Sequence, residues 1–216
     1  MADGTLLTRE RSCIFETRVE TAAACKEAGA TAQKAGDRAT AVECYERALY
    51  HVDFDEGTWA FELLDQHRDA VNAVRLPVYL NLAACYLDES LLDTAKVIEY
   101  GDLALAIEKD NVKALYRKGQ AYLAIKDGDA AAVVLKKAAV LQPNDKAIRG
   151  ALAQSKELQT LAREEEKKRW GGHLLKTTES VTAAPVAGTP TNIVAWWSFA
   201  VGVVIVAIVV ALGVGM

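Results

Sequence analysis

Apolar side chains recur at helical spacing from residue 20 to residue 170 of the chain. Ala and Leu are frequent among them, and no run alternates apolar and polar residues as a strand would. The prolines of this region are Pro77 and Pro143, which leaves long stretches free to form helices. The pattern therefore predicts an all-α domain.

Small residues in this region recur at fixed offsets in three copies. The copies are Gly29, Ala41, Tyr45 and Ala48; Ala83, Ala95 and Ala104; and Gly119, Ala131, Leu135, Ala138 and Pro143. In the middle copy, Ala104 comes two residues later than the other copies require. Small residues let one helix approach the next, while Tyr45, Tyr86 and Tyr122 are expected to fill the space between stacked hairpins.

The period and the residue classes resemble the tetratricopeptide repeat (TPR), a two-helix unit of about 34 residues. Three copies fit within a domain at 20–172, after an N-terminal extension at 1–19. They span about 22–53, 76–110 and 112–145. The resemblance implies three helical hairpins in a right-handed superhelix.

Two further segments complete the predicted domain. A charged segment at 145–170 is expected to form a helix that caps the last hairpin, because a stack of repeats leaves an apolar end. The insertion at 54–75 between the first two copies looks helical, which puts Pro77 at or near a helix start or at a kink.

Two segments make the resemblance narrower. They are LNLAACYL at 80–87 and NVKALYRKGQAYL at 111–123. With the insertion and the charged final helix, they resemble the C-terminal half of the large FK506-binding immunophilins, including the membrane-anchored one. About 20 residues precede the repeats, too few for the prolyl-isomerase domain of that family. The resemblance therefore implies binding without isomerase activity.

In the chaperone-binding members of this repeat family, the first helices of three hairpins hold a terminal carboxylate and a neighbouring aspartate. The resemblance assigns this carboxylate clamp to Lys26, Asn81, Lys113 and Arg117. Ala30 stands where the family has Asn, which removes one amide donor. The implied ligand is an acidic C-terminal peptide of the EEVD type, as in Hsp90 and Hsp70.

Two functions remain open from the sequence. In one, the chain is a membrane-tethered co-chaperone that recruits Hsp90 or Hsp70. In the other, it is an interaction scaffold with a non-chaperone partner, and the four clamp residues are ordinary solvated positions. Lys113 and Arg117 bear on this choice, because like charges four residues apart on a helix repel one another. Either solvent screens them and they carry little meaning, or an anionic ligand binds between them.

Composition argues against several other classes. The net charge of −4 and the absence of a long basic run disfavour nucleic-acid binding. His51, His67 and His173 have no nucleophile or carboxylate at a recognisable spacing, so no catalytic role, cofactor, metal or small-molecule substrate is expected. The four cysteines show no metal-site spacing and are expected to be reduced thiols of a cytosolic domain.

The C-terminal region differs in character from the repeats. No charged residue follows Glu179, and Ile193–Val214 is apolar except for Ser198. Its length suits one transmembrane helix across a hydrocarbon core of about 30 Å, and Trp196 and Trp197 suit the headgroup region. We expect a tail anchor at 193–214, a flexible linker at 173–192 and a cytosolic repeat domain. The endoplasmic reticulum is favoured over the mitochondrial outer membrane, because no basic residue follows the span.

Overall fold

The computed structural model describes residues 4–179, and within that range every regular element is a helix. The predicted all-helical fold is therefore confirmed. The elements are α1 (Gly4–Thr8), α2 (Phe15–Lys34), α3 (Arg38–His51), a π-helical turn (Thr58–Glu62), α4 (Asp65–Cys85), α5 (Thr94–Ile107), α6 (Val112–Ala124), α7 (Gly128–Leu141) and α8 (Lys146–Glu179).

The helices from α2 to α7 pair into three consecutive hairpins, α2 with α3, α4 with α5, and α6 with α7. Glycines allow the closest approaches. A Cβ added at Gly29 would lie 2.7 Å from Cε1 of Tyr45, and one added at Gly119 would lie 2.5 Å from Cδ2 of Leu135. Since both glycines are on the first helix of a hairpin, they set how tightly the second helix packs.

An aspartate begins the second helix of each hairpin. The carboxylates of Asp37, Asp93 and Asp127 accept hydrogen bonds from the backbone N–H groups of Thr40, Lys96 and Ala130, at 3.0, 3.1 and 2.9 Å. Each bond satisfies a donor that the first turn of a helix leaves unpaired. The repeat therefore includes a polar residue that starts its second helix, beside its small-residue pattern.

The second hairpin has a longer turn than the other two. Residues 86–93 join α4 to α5, whereas residues 35–37 and 125–127 join the other pairs. As a consequence Ala95, which the spacing placed in the core, is exposed, and Val97 is fully buried instead. Ala104 is also buried, so the late position of Ala104 in the sequence reflects the longer turn.

Helix α4 begins well before the predicted second repeat. It starts at Asp65, inside the segment read as an insertion, and Pro77 lies within the helix and not at its start. The preceding residues form the π-helical turn Thr58–Glu62. The N-terminal half of α4 thus extends the second hairpin toward α3, which it contacts.

The C-terminal end of α3 is held by arginines from the two flanking helices. Nε of Arg18 on α2 donates to the carbonyl of His51 at 2.8 Å, and its Nη2 donates to the carbonyl of Asp53. Arg75 on α4 donates to the carbonyl of Val52 at 2.5 Å. These guanidinium groups satisfy carbonyls that a helix end leaves without intrahelical partners.

Helix α8 closes the third hairpin. Asp145 caps it by accepting from the backbone N–H of Ile148 at 3.1 Å, and Ile148 and Ala151 are buried. The helix continues to Glu179, through the first residues of the predicted linker. Among the described residues, no helix is both long and apolar enough to cross a bilayer. The predicted span at 193–214 lies outside the described residues.

His51, the last residue of α3, is buried, and within residues 4–179 neither of its ring nitrogens has a hydrogen-bond partner. Burial lowers the pKa of His51, and four nearby guanidinium groups lower it further. They belong to Arg47, Arg11, Arg9 and Arg18. The folded protein therefore favours the neutral imidazole.

The free energy of unfolding should decrease as the pH is lowered, because of His51. Below about pH 6.5 the unfolded chain binds a proton at this histidine, whereas the folded chain does not until the lowered pKa is reached. The free energy of unfolding, from urea titrations at pH 7.5 and 5.5, should drop by up to about 1.4 kcal/mol per pH unit in that window. His51→Leu should lose this component; equal pH dependence in both proteins would contradict the assignment.

The contact at Gly119 can be tested with a matched pair of Gly→Ala variants. Gly150 lies in α8 with no atom near the place of a Cβ, so Gly150→Ala should stabilise by up to about 1 kcal/mol through helix propensity. Gly119→Ala gains the same propensity but collides with Leu135, which costs about 1–3 kcal/mol. In urea titrations Gly119→Ala should be the less stable variant, and the reverse order would refute the close approach.

Candidate functional site

The predicted clamp residues lie on the first helices of the three hairpins, namely α2, α4 and α6. Lys26 on α2 is half-buried, and its ammonium is 3.1 Å from a carboxylate oxygen of the adjacent Glu27. Ala30 lies one turn later on the same face of α2. Helix α2 therefore offers one cation on this face, already partnered by an exposed carboxylate.

Asn81 on α4 belongs to a hydrogen-bonded chain. Its Nδ2 donates to the hydroxyl of Tyr45 at 3.1 Å, and that hydroxyl donates to Oε1 of Gln33 at 2.8 Å. Tyr45 is fully buried on α3. Burial raises the pKa of Tyr45 to about 12, so its hydroxyl stays protonated at physiological pH. These two hydrogen bonds fix the orientation of the Asn81 amide.

Arg117 on α6 reaches across to α4. Its Nη1 donates to the carbonyl of Leu80, the residue before Asn81 on α4, at 2.6 Å. Burial lowers the pKa of Arg117, because desolvation disfavours its charged form. No carboxylate among the side chains of residues 6–170 forms an ion pair with it. A half-buried cation without a counter-ion is a favourable place for an anionic ligand.

Lys113 lies one helical turn before Arg117 on the same face of α6, and it is exposed. In the part of the chain that the structure describes, no hydrogen bond or ion pair holds its ammonium. Lys118, the third cation of this helix, is different. It is buried, and its ammonium pairs with Asp102 on α5, so it joins the second and third hairpins.

Within the described part of the chain, no hydrogen bond or ion pair joins two of the four predicted residues, and Arg117 reaches α4 at Leu80, the residue before Asn81. Lys113 lies on the same face of α6 as Arg117. The ammonium of Lys26 contacts Glu27. Sequence reasoning missed Gln33 and Tyr45, which hold the Asn81 amide. The signal for Gln33 was its place seven residues after Lys26, on the same stripe of α2.

A cavity of about 270 Å³ lies elsewhere, where the N-terminal segment meets α3 and α4. Its lining comprises Arg11, Glu46, Leu49, Tyr50, Asp53, Arg75 and Tyr79. Arg11 pairs with Asp53 at 3.3 Å, and Arg75 is bonded to the carbonyl of Val52. Because the carboxylates of Asp53 and Glu46 line this cavity, and Asp53 already pairs with Arg11, it is a weaker candidate for an anion site than the face with Arg117.

Comparisons with known proteins agree with the hairpin architecture. No model of a known protein family matches the chain. The peptidyl-prolyl cis-trans isomerase FKBP4 of Bos taurus is 29% identical over 169 residues, which cover 78% of this chain and 35% of that protein. FKBP42 of Arabidopsis thaliana is 34% identical over 125 residues, covering 58% of this chain and 31% of that protein. The chain spans about a third of these curated relatives, and the aligned part excludes their isomerase domain.

Three solved structures show the same fold. The C-terminal TPR-containing domain of a Plasmodium falciparum protein described as FK506-binding is 30% identical, with a TM-score of 0.63, and the match covers 70% of this chain and 96% of that domain. The Hsp90 co-chaperone Cns1 of Saccharomyces cerevisiae is 24% identical, with a TM-score of 0.56, and the match covers 79% of this chain and 54% of that one.

The third is the first TPR domain of Spaghetti (RPAP3), solved with the HSP90 peptide SRMEEVD. It is 21% identical, with a TM-score of 0.50, and the match covers 65% of this chain and 93% of that domain. The hairpins, their glycine contacts and the match to nearly all of the Plasmodium domain lead to one conclusion. The chain belongs to the tetratricopeptide-repeat proteins, and its repeats are similar to those at the C-terminal end of the large FK506-binding immunophilins.

Proposed function

We propose that this chain is a membrane-attached TPR adaptor that binds acidic C-terminal peptides, of the EEVD type found in Hsp90 and Hsp70. The observation that carries the proposal is the guanidinium of Arg117, which bonds to the backbone carbonyl of Leu80 on α4 and has no carboxylate partner among the side chains of residues 6–170. An incoming carboxylate would supply the missing counter-ion. The role is binding, without catalysis.

The chemistry of the four residues suits a peptide that ends in two neighbouring anions. Arg117 can offer a two-pronged bond to a carboxylate, Lys113 a point charge and Asn81 an amide donor. A lone exposed ion pair contributes only about 0.2–1 kcal/mol. Several charge-assisted bonds at about 1.5–3 kcal/mol each, less the cost of ordering the peptide, reach micromolar affinity.

Two of the similar structures support the proposed partner class. Spaghetti (RPAP3) holds an HSP90 peptide that ends in EEVD, and Cns1 is an Hsp90 co-chaperone. We extend this ligand to the present chain because the Lys, Asn and Arg positions of the clamp are occupied. Ala30 lacks the amide of the family pattern, which on its own would weaken binding by about 1 kcal/mol.

Membrane attachment is the second part of the proposal. The apolar stretch 193–214 is proposed to cross a bilayer, with the repeat domain in the cytosol at the surface of the endoplasmic reticulum. The adaptor would then concentrate a chaperone at that surface, because tethering raises the local concentration of whatever the repeats bind.

Peptide binding tests the clamp. A peptide ending in EEVD with a free carboxylate should bind the wild-type chain with micromolar Kd. Lys113→Ala combined with Arg117→Ala should weaken it at least about 100-fold, since two charge-assisted bonds are lost. Isothermal titration at two salt concentrations would measure the loss and the reduced salt dependence.

The matched control is Lys136→Ala with Lys137→Ala, which removes the same charge from exposed positions of α7. Its Kd should equal that of the wild-type chain. If amidation of the peptide terminus leaves the wild-type Kd unchanged, the carboxylate is not recognised, and a scaffold with another partner becomes the better description.

Membrane attachment is tested by a charge placed in the apolar stretch. Val204→Arg should shift the chain from the membrane to the soluble fraction, since Arg near the centre of a span costs about 2.5–3.5 kcal/mol. Val204→Leu should stay with membranes. A fluorescent tag at the N-terminus should colocalise with the endoplasmic reticulum, and a chain ending at Glu179 that still sediments with membranes would contradict the proposal.

A further inference from the structure

Three residues of α2 form a stripe that faces the proposed peptide. Lys26, Ala30 and Gln33 are four and three residues apart, so they lie above one another on the helix. Long side chains of a helix lean toward its N-terminus, which directs Gln33 back over the turn of Ala30. The methyl side chain of Ala30 leaves room there, and Gln33 is half-buried.

The hydrogen-bonded chain fixes which end of the Gln33 amide is available. Asn81 donates its Nδ2–H to Tyr45, so the hydroxyl of Tyr45 must direct its own hydrogen to Oε1 of Gln33. The Nε2 group of Gln33 carries two N–H donors, and no acceptor binds them among residues 6–170, whose side chains the structure describes. The donor end of the amide is therefore the free end.

We infer that Gln33 supplies the amide donor that Ala30 lacks, and that Tyr45 is the positioning residue which holds Gln33 and Asn81 in register for the terminal carboxylate of the peptide. This inference rests on the proposed function. With Gln33, the proposed clamp has its amide from α2 one turn later than the family pattern places it.

Tyr45 is well suited to this task. Its ring packs against Gly29, where a Cβ would lie 2.7 Å from the ring, and the residue is fully buried. The ring position is therefore set by the packing of α2 on α3. The hydroxyl links an amide on α2 to an amide on α4, two helices that contact one another.

The first experiment compares two variants of equal charge in the full chain. Gln33→Glu keeps an acceptor for Tyr45 but puts a negative charge where the peptide carboxylate would bind. Its Kd for an EEVD-ending peptide should rise at least tenfold, with a smaller change for the amidated peptide. Gln142→Glu, at an exposed position after α7, should leave both Kd values at the wild-type level.

The second experiment tests the role of Tyr45. Tyr45→Phe keeps the ring and removes the hydroxyl, so the preference for the free carboxylate over the amide should fall about three- to tenfold. Combining it with Gln33→Leu should add little beyond Gln33→Leu alone, because the two residues act as one unit. Circular dichroism melts establish that each variant is folded at the titration temperature.

The third experiment is a rescue. Ala30→Asn restores the amide of the family pattern, so in a Gln33→Leu background it should recover the lost preference for the free carboxylate. If the wild-type chain shows no such preference, the proposed function fails and this inference fails with it. If the wild-type chain shows the preference and both Gln33→Glu and Gln33→Leu keep it, only the role of Gln33 is overturned.

Discussion

The close approach of the two helices in the first and third hairpins governs the arrangement of this domain. At Gly29 and Gly119 a hydrogen replaces a side chain, and the ring of Tyr45 or the isobutyl group of Leu135 occupies the space. A larger residue would push the helices apart. Gly119 packs against α7, and Arg117, two residues earlier, lies on a different face of α6. The packing of α6 on α7 therefore directs the guanidinium of Arg117 toward α4.

Tyr45 joins the packing of the domain to the chemistry of its surface. Its ring belongs to the core and its hydroxyl belongs to a polar chain that ends at two amides. A buried hydroxyl needs hydrogen-bond partners, and here the partners are side chains that border the candidate site. Core stability and the geometry of the site are thereby coupled, whereas Lys118 and Asp102 serve packing between hairpins alone.

The sequence predicts the helical class more completely than it predicts the register. Helical periodicity and the recurring glycines and alanines are local signals, so the all-helical fold could be read directly. Ala95 was wrongly placed in the core because the longer connection between α4 and α5 shifts the later positions by two residues, and Val97 is buried instead. Helix propensity also does not show that Pro77 lies inside α4.

The contacts of the site could be predicted only in part. A family pattern identifies Asn81, Lys113 and Arg117 one residue at a time, but it does not show that Arg117 binds the carbonyl of Leu80 or that Lys26 pairs with Glu27. The link through Tyr45 joins residues far apart in the sequence, so it depends on the folded arrangement of three helices.

The arginines at the end of α3 have a consequence for how this protein can be divided. Arg18 and Arg75 come from different helices, and Arg75 belongs to the second hairpin, yet both complete the end of the first. The first hairpin therefore depends on a hydrogen bond from the second hairpin and is not a self-contained unit. A chimera that grafts α2 and α3 onto a foreign array would expose the Val52 carbonyl unless the next repeat brings its own guanidinium.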